Sequence, residues 1–442
     1  MRIMRGFRFE LEPNRETVVS LKKHIGAARF AYNWGLARCK EALERGERVP
    51  SAFELSRMWN RWKRENAPWW VEVSKCAPQE AFRDLEQAFR NWRAGQSGFP
   101  RFKRKKSMDD NKARLRGSIR VFPRHIQLPR IGKVRVKEPT HKLHLLLQEG
   151  KARILSATVS READRWFVSL TVEVEYPDPQ PLPPDAPVVG VDVGLDSYAT
   201  LHDGRNPEHV RIPEQLQHKL ARLRKKLRRE QRRLSRKQRE REVPDPNNPN
   251  ATIKVFGKNY VKQLLRLQRV HRKIRNAFRD FLHQTTTRLA KAKRVYVVED
   301  LSIKGLMRKR KRGYRLSRSI AEASWGEFLR MLRYKAEWYG SRVIIADRFY
   351  PSSKTCSACG FIRSDLRLSD RIFICPHCGF TMDRDVNAAI NLRNYGLATL
   401  NGPTARSAGS HACGDPSGGG TAEAGLRATG RRSRKDAPRS GQ

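Results

Sequence analysis

Val188-Val189-Gly190-Val191-Asp192-Val193-Gly194 is the stretch on which the fold turns. A short, almost unbroken apolar run of this kind reads as a strand buried on both faces. Asp192 interrupts it, and a carboxylate in such a place is costly unless it is paired or bound to a metal. Gly190 and Gly194 do not make a dinucleotide-binding fingerprint, because the third glycine and the spacing are missing. Just upstream, Pro177-Asp178-Pro179-Gln180-Pro181-Leu182-Pro183-Pro184 reads as a stiff, polyproline-like linker and marks a domain boundary.

Two acidic sites downstream share this setting. Glu299 and Asp300 close the apolar strand Val295-Tyr296-Val297-Val298, and Asp383 and Asp385 open a helix running through Val386-Asn387-Ala388-Ala389-Ile390-Asn391-Leu392. Any one of these acids could equally serve a salt bridge in so basic a chain. Taken in order, a strand-end Asp, a strand-end Glu and a helix-start Asp are what a ribonuclease-H-like fold uses for phosphodiester hydrolysis with two divalent ions. Hard oxygen ligands favour Mg²⁺ or Mn²⁺. The chemistry alone leaves Asp383 and Asp385 as alternatives.

Between the second and third acids lie Cys356-x2-Cys359 and Cys375-x2-Cys378, separated by fifteen residues. This spacing is that of a zinc ribbon, with Gly360 and Gly379 following the knuckles where a tight turn is wanted. Four thiolates close the coordination sphere, so the Zn²⁺ is structural, and His377 is a bystander. The other three cysteines, Cys39, Cys76 and Cys413, are scattered and read as structural or incidental.

The net charge is +47, from 92 Lys+Arg against 45 Asp+Glu. Such a surplus implies a polyanionic partner, nucleic acid before an anionic membrane, although an Arg-rich genome also raises the charge. No apolar run reaches the roughly 18 residues of a spanning helix, and no apolar signal segment follows Met1-Arg2-Ile3-Met4-Arg5, so an intracellular protein is expected. There is no Walker phosphate loop.

The N-terminal half opens with a strand, since Phe7, Phe9 and Leu11 alternate with Arg8, Glu10 and Glu12. Pro13-Asn14 ends it and starts a helical block to about Gly98. Its first long helix carries an apolar stripe of Ile25, Ala28, Phe30, Tyr32, Leu36 and Cys39 and ends near Gly46, and a later helix spans Ala81 to Phe89. Gly98-Phe99-Pro100-Arg101-Phe102-Lys103-Arg104-Lys105-Lys106 is a basic loop with interleaved aromatics. Such a loop suits phosphates and bases, or is simply a solvated charge run. Residues 119–174 read as strands: one pair built on Ile126, Leu128, Ile131, Val134 and Val136, and a hairpin turning at Glu162-Ala163-Asp164. The first strand completes that sheet, leaving the helices as an insertion. In the second half, residues 216–241 form a basic helix with a stripe of Leu216, Leu220, Leu223, Leu227 and Leu234, and a partner helix runs from Tyr260 to Leu289. After residue 400 the Gly/Ser/Ala/Arg-rich tail is expected to be disordered.

Val191-Asp192-Val193-Gly194, Val298-Glu299-Asp300-Leu301, the paired CxxC-Gly knuckles and Asp383-Arg384-Asp385-Val386-Asn387-Ala388-Ala389 resemble the TnpB (OrfB) proteins of bacterial and archaeal insertion sequences. So do Phe9-Glu10-Leu11-Glu12-Pro13-Asn14, Gly98-Phe99-Pro100-Arg101-Phe102, Ser324-Trp325-Gly326-Glu327-Phe328 and Tyr350-Pro351-Ser352-Ser353, giving a resemblance over about residues 5–395. It implies a multidomain α/β protein. Residues 1–185 would be a recognition lobe, with β-barrel-like (WED) strands in 1–13 and 119–176 and a helical (REC) insertion in 14–118. Residues 186–400 would be a RuvC-like nuclease domain with a helical hairpin at 214–290 and a zinc ribbon at 353–382, followed by the tail 401–442.

The resemblance also implies function: an RNA-guided DNA endonuclease, similar to the compact ancestors of type V CRISPR effectors, with one RuvC-like site. Its implied partners are a noncoding guide RNA from the transposon end and double-stranded target DNA, with no membrane. Its implied location is the prokaryotic cytoplasm, at the nucleoid. Asp192, Glu299 and Asp385 match the family's catalytic, metal-binding acids, with Asp300 and Asp383 as motif neighbours. Lys75 and Gln79 match the region that reads a target-adjacent motif, and Arg101, Lys103 and Arg104 are further nucleic-acid contacts expected from the basic loop. The many phosphates of a guide and a heteroduplex account for the charge. The alternatives are a DNA transposase, whose acids usually run Asp, Asp, Glu, and a nuclease-inactive RNA-guided repressor, which intact acids disfavour.

Overall fold

The computed structural model describes residues 1–104, 111–237, 240–245, 248–308, 322–367 and 369–401. Lys105 and Lys106 lie outside them, as does the tail expected from residue 401, apart from Asn401. The chain divides into two compact units, Met1–Gly396 and Leu397–Gln442, and all that follows concerns the first.

The first sheet is antiparallel. It contains β1 (Arg2–Glu12), β2 (Lys112–Leu115), β3 (Arg120–Phe122), β4 (His125–Leu128), β5 (Gly132–Val136), β6 (Ala152–Glu162) and β7 (Arg165–Glu175), in the order β2-β6-β7-β1-β5-β4-β3. β1 pairs with β7 along its length, Phe9 opposite Val168 and Leu11 opposite Trp166, so the opening strand does complete the later sheet. Along β7 the residues Trp166, Val168, Leu170, Val172 and Val174 are buried at every second position, as a sheet with one covered face requires. The β6–β7 hairpin turns at Ala163, as read from the sequence.

The helical insertion contains α1 (Arg15–Glu44), α2 (Ala52–Asn66), a 3₁₀ turn (Pro68–Glu72) and α3 (Cys76–Arg93). Asn14 caps α1 by accepting the Thr17 N–H at 2.8 Å, and Ser51 and Glu54 form a capping box on α2. Ile25, Ala28, Tyr32, Leu36 and Cys39 are buried. Phe30 is not part of that stripe: it falls off the i, i+3, i+4 face, is 43% exposed, and packs instead against Trp62 and Trp69. One further difference is α4 (His141–Gln148), a helix within the stretch read as strands alone. Its Leu143, Leu146 and Leu147 pack on the first core with too short a run to show a clear period.

Residues 176–187 form no helix or strand. Beyond them lies a mixed sheet of β8 (Val188–Asp192), β9 (Ala199–His202), β10 (Pro207–Val210), β13 (Val295–Glu299) and β14 (Arg342–Ala346), in the order β10-β9-β8-β13-β14. β8, β13 and β14 are parallel, whereas β9 and β10 run antiparallel to their neighbours. α5 (Glu214–Arg236) and α6 (Lys258–Lys291) form the expected helical hairpin, with Leu220 and Leu227 buried between them. A β-hairpin, β11 (Glu240–Asp245) and β12 (Asn248–Phe256), joins the two helices in a stretch for which no element had been expected, and α5 ends at Arg236, short of the expected residue 241. α7 (Ile303–Arg308), α8 (Trp325–Tyr339), the short hairpin β15 (Ile372–Ile374) and β16 (Thr381–Asp383), and α9 (Arg384–Asn401) complete the described elements.

The two faces of the mixed sheet are covered by different helices. Val189, Val191, Tyr296 and Val298 join Phe278, Phe281, Leu282, Phe328 and Leu332 of α6 and α8 in one core. On the other face α9 lies directly on the strands. A Cβ at Gly190 would stand 1.8 Å from the Ala389 carbonyl oxygen, and one at Gly396 would stand 2.3 Å from Val297 Cγ2. Glycine at these two positions is therefore what lets helix and sheet approach.

Candidate active site

β8 and β13 share a pattern of four buried residues followed by one part-buried acid, Asp192 and Glu299. Val191 lies opposite Val298 in the parallel register, so the two carboxylates leave the sheet side by side at its C-terminal edge. The close seat of α9 on Gly190 then brings its first turn to the same edge. Asp385 Oδ2 stands 3.6 Å from where a Cβ on Gly194 would be. The structure thus brings Asp192, Glu299 and Asp385 together.

Their electrostatics record the crowding. The Asp192 carboxyl is pushed well above the usual carboxylate range by burial, then by repulsion from Glu299 and Asp385. Burial also raises Glu299, against a hydrogen bond that the Ser352 hydroxyl donates to its Oε1. Asp385 is raised by burial and by Asp383, with Arg384 opposing. A set of hard oxygen donors held together at this energetic cost fits a divalent cation.

The neighbouring acids are otherwise engaged. Asp383 Oδ1 accepts the N–H groups of Asp385 at 2.9 Å and Val386 at 3.0 Å, so it caps α9. Asp300 pairs with Arg348 at 2.5 Å.

The four cysteines form one cluster, with all ligand atoms within 4.8 Å of one another. The Sγ atoms of Cys356 and Cys378 are 3.7 Å apart, and those of Cys359 and Cys375 3.6 Å. A tetrahedron with Zn–S bonds of about 2.3 Å has edges of roughly 3.8 Å, so the thiols fit zinc. The knuckles are alike in backbone. Cys356 N–H bonds to Phe361 O and Cys375 N–H to Phe380 O, both at 2.8 Å, while Gly360 and Gly379 take positive φ of 78° and 74°. Burial opposes ionisation of Cys375, but N–H groups of Cys378 and His377 more than offset it and hold the thiol at about 6. The three carboxylates are not so compact a group among the described residues.

Two asparagines join the sites, and sequence reasoning missed them. Asn387 Oδ1 accepts Ser357 N–H at 3.0 Å while its Nδ2 donates to Thr355 O at 2.7 Å. Asn391 Nδ2 donates to Ser352 O at 2.8 Å and to Thr355 O. Both are buried and one turn apart on α9, so they hold the segment carrying Ser352 and the first knuckle. Two amides on the apolar side of a helix were the available signal.

Lys75 and Gln79 are exposed at the start of α3. Beside them Glu80, buried to 2% exposure, pairs with Arg83 at 2.5 Å and Arg116 at 3.0 Å and ties α3 to the chain around β2. Arg101 and Arg104 are exposed. Lys103 is pinned to α1: its N–H donates to Asn33 Oδ1 at 2.7 Å and its ammonium lies 3.8 Å from the Tyr32 ring centroid.

Against known proteins, residues 171–310 match the OrfB model of IS605-type elements, described as "Probable transposase", and residues 325–392 match a "Cas12f1-like, TNB domain" model. A "Putative RNA-guided DNA endonuclease" of Mycobacterium tuberculosis is 33% identical over 89% of this chain and 86% of its own. Relatives bearing the same description in Streptomyces pristinaespiralis and Escherichia coli are 33% and 31% identical, over 90% of this chain and 90% and 94% of theirs. The chain belongs to the TnpB (OrfB) family.

The family's link to type V effectors is visible in a shorter stretch: 76 residues, 17% of this chain and 18% of its own, are 38% identical to the CRISPR-associated endodeoxyribonuclease Cas12f1 of Sulfoacidibacillus thermotolerans. A solved Cas12f1–sgRNA–target DNA complex aligns over 86% of this chain and 82% of that one, with a TM-score of 0.49 and 17% identity. Residues 1–48 match the family's "Helix-turn-helix domain" model, yet here they fold as one strand and one long helix. Among the described residues no helix is long and apolar enough to cross a membrane.

Proposed function

We propose that this TnpB-family chain is an RNA-guided DNA endonuclease of a transposable element. It would cut target DNA at a single RuvC-like site formed by Asp192, Glu299 and Asp385. The observation that carries this reading is the convergence of three part-buried acids, from β8, β13 and α9, at one edge of the mixed sheet. The strand order and the helix on each face support a ribonuclease-H-like domain, and full-length relatives described as RNA-guided DNA endonucleases support the activity. In this reading residues 1–185 form the WED and REC recognition lobe and residues 186–400 the nuclease domain with its zinc ribbon. The partners are a noncoding RNA from the transposon end and double-stranded DNA, met at the nucleoid. Lys75, Gln79, Arg101, Lys103 and Arg104 are contacts to them.

Asp192, Glu299 and Asp385 would hold Mg²⁺ or Mn²⁺, which when bound supplies Lewis acidity for water activation and for the leaving oxygen. The chain's own residues prepare that site. Ser352 orients Glu299 by its hydroxyl. Asp383 fixes the first turn of α9 and so the direction of Asp385. The four cysteines would hold structural Zn²⁺, and Asn387 and Asn391 transmit that rigidity to Ser352.

The test is cleavage of a matched target by the purified chain with its transposon-end RNA in Mg²⁺. Wild type should cut only with that RNA. Asp192→Ala should lose on the order of 10³-fold in rate or more while keeping target binding. RNA-independent strand transfer from a donor end would replace this reading with that of a transposase, which the matched model's description favours.

A further inference from the structure

Phe349 is 87% exposed, the most exposed large apolar side chain among the described residues. A single apolar residue on a surface needs no explanation by itself. Phe349 differs in how it is held and in where it stands.

Its turn is rigidly built. Phe349 N–H donates to Asp347 Oδ1 at 2.9 Å, and Tyr350 N–H to Asp347 O at 3.1 Å. Asp347 N–H donates to the Tyr395 hydroxyl at 3.3 Å, and the Tyr350 hydroxyl donates to Asn391 O at 3.1 Å. The Tyr350 and Tyr395 rings lie 4.9 Å apart. The helix that carries Asp385 therefore braces the turn, while Phe349 itself is left facing solvent.

Both flanks of the turn lead to the carboxylates. The strand before it ends at Ala346, opposite Glu299. Arg348 Nη2 pairs with Asp300, the residue after Glu299, at 2.5 Å. Ser352, three residues beyond Phe349, donates its hydroxyl to Glu299. Three residues of chain reach at most about 10 Å. An aromatic face is thus offered at the rim of the acidic site, with a guanidinium next to it, on a chain of net charge +47.

We propose that Phe349 is a substrate-positioning residue, a platform on which one unpaired base of the DNA strand stacks beside the bond to be cut, with Arg348 for a flanking phosphate. This rests on the nuclease reading above. Stacking on an aromatic ring tolerates every base, as a guided nuclease needs, because each base has a π-face. A ring held by its backbone in advance loses little freedom on binding, so the contact serves to place the strand.

The experiment compares wild type with Phe349→Ala, Phe349→Trp and Phe349→Leu as full chains with RNA and target, under single-turnover conditions. A fluorescent adenine analogue is placed in the target next to the cut. Phe349→Ala should slow cutting about 5- to 100-fold with guide and target binding and melting temperature unchanged. Trp should restore the rate and Leu should not. The analogue should be quenched by wild type and the Trp variant but stay bright with Ala. Equal cutting by wild type and Phe349→Ala, or rescue by Leu as full as by Trp, overturns the stacking role and leaves the nuclease reading standing. A wild type that does not cut at all sinks the guided-nuclease reading instead. The platform is then judged on a single-stranded oligonucleotide carrying the same analogue, without RNA. Quenching lost in Phe349→Ala supports it, and equal quenching overturns it.

Discussion

The four thiols come from one short window of chain, whereas the three carboxylates come from the ends of β8 and β13 and the start of α9. Each CxxC turn shapes itself, with a left-handed glycine and a local backbone bond, between its own short antiparallel pairing: Thr355 with Ile362 around the first, β15 with β16 around the second. The acids have no such local device. They meet because a helix lies on a sheet at two glycines, and they meet at the expense of raised proton affinity. A site assembled locally is stable in itself, while one assembled by packing inherits the stability of the whole domain. The asparagines on α9 join the two, so losing the zinc ribbon should reach the acids, while a fault at the acids should leave the self-shaped ribbon in place.

The largest expected effect is on the thiol side. Cys356→Ser should release zinc, whose binding contributes about 10 kcal/mol or more in small zinc modules, and should lower the melting temperature and cutting together. Unchanged zinc content by mass spectrometry would break the ligand assignment.

Gly190→Ala comes next and reverses the pattern. The added methyl meets the Ala389 carbonyl, and overpacking of this kind costs roughly 1–3 kcal/mol or more. Cutting should fall severely while zinc content stays at wild-type level. Parallel loss of zinc would show that the two sites are not separately assembled.

A smaller effect concerns charge. The folded Asp192 carboxyl is raised above its unfolded value, so its favourable contribution is complete below about pH 4 and is lost as pH rises through the folded value. Metal-free protein should therefore lose stability with rising pH in that range and recover at neutral pH on adding Mg²⁺. Asp192→Asn should flatten the slope, raise the metal-free melting temperature at neutral pH and remove the Mg²⁺ response. Thermal melts with and without chelator check this, and a lower metal-free melting temperature for Asp192→Asn would count against crowded carboxylates.

The smallest effect on stability separates the two helix-start acids. Asp383→Ala should cost about 1 kcal/mol as a lost cap and retain most cutting, whereas Asp385→Ala should abolish cutting with little change in stability. Melting and cleavage measured on both variants would reverse the assignment if the outcomes were exchanged.

Much of this arrangement was legible before any fold was seen. The zinc knuckles, both acid-tipped strands and the closing of the first sheet by β1 follow from spacing and alternation, which are local signals. The helix α4, the hairpin between α5 and α6, and the outward place of Phe30 were not legible. A short apolar run has no decisive period, and an apolar residue near a stripe is not thereby on it. Ser352, Asn387 and Asn391 were also missed, since a polar residue shows its purpose only through its partner.

By itself, the sequence determined the ligand chemistry: which four sulfurs could bind zinc, and which acids stood where an apolar strand or helix start makes them costly. Family-level similarity favoured Asp385 over Asp383, but residue chemistry left the two equal. Only the tertiary structure gave them different settings: Asp383 turns back to cap α9, while Asp385 is part-buried and repels the Asp192 carboxyl more than Asp383 does. The reason is geometric. A carboxylate's type is fixed by covalent structure, but its partners depend on how closely α9 approaches β8, and that distance is set by the missing side chain of Gly190.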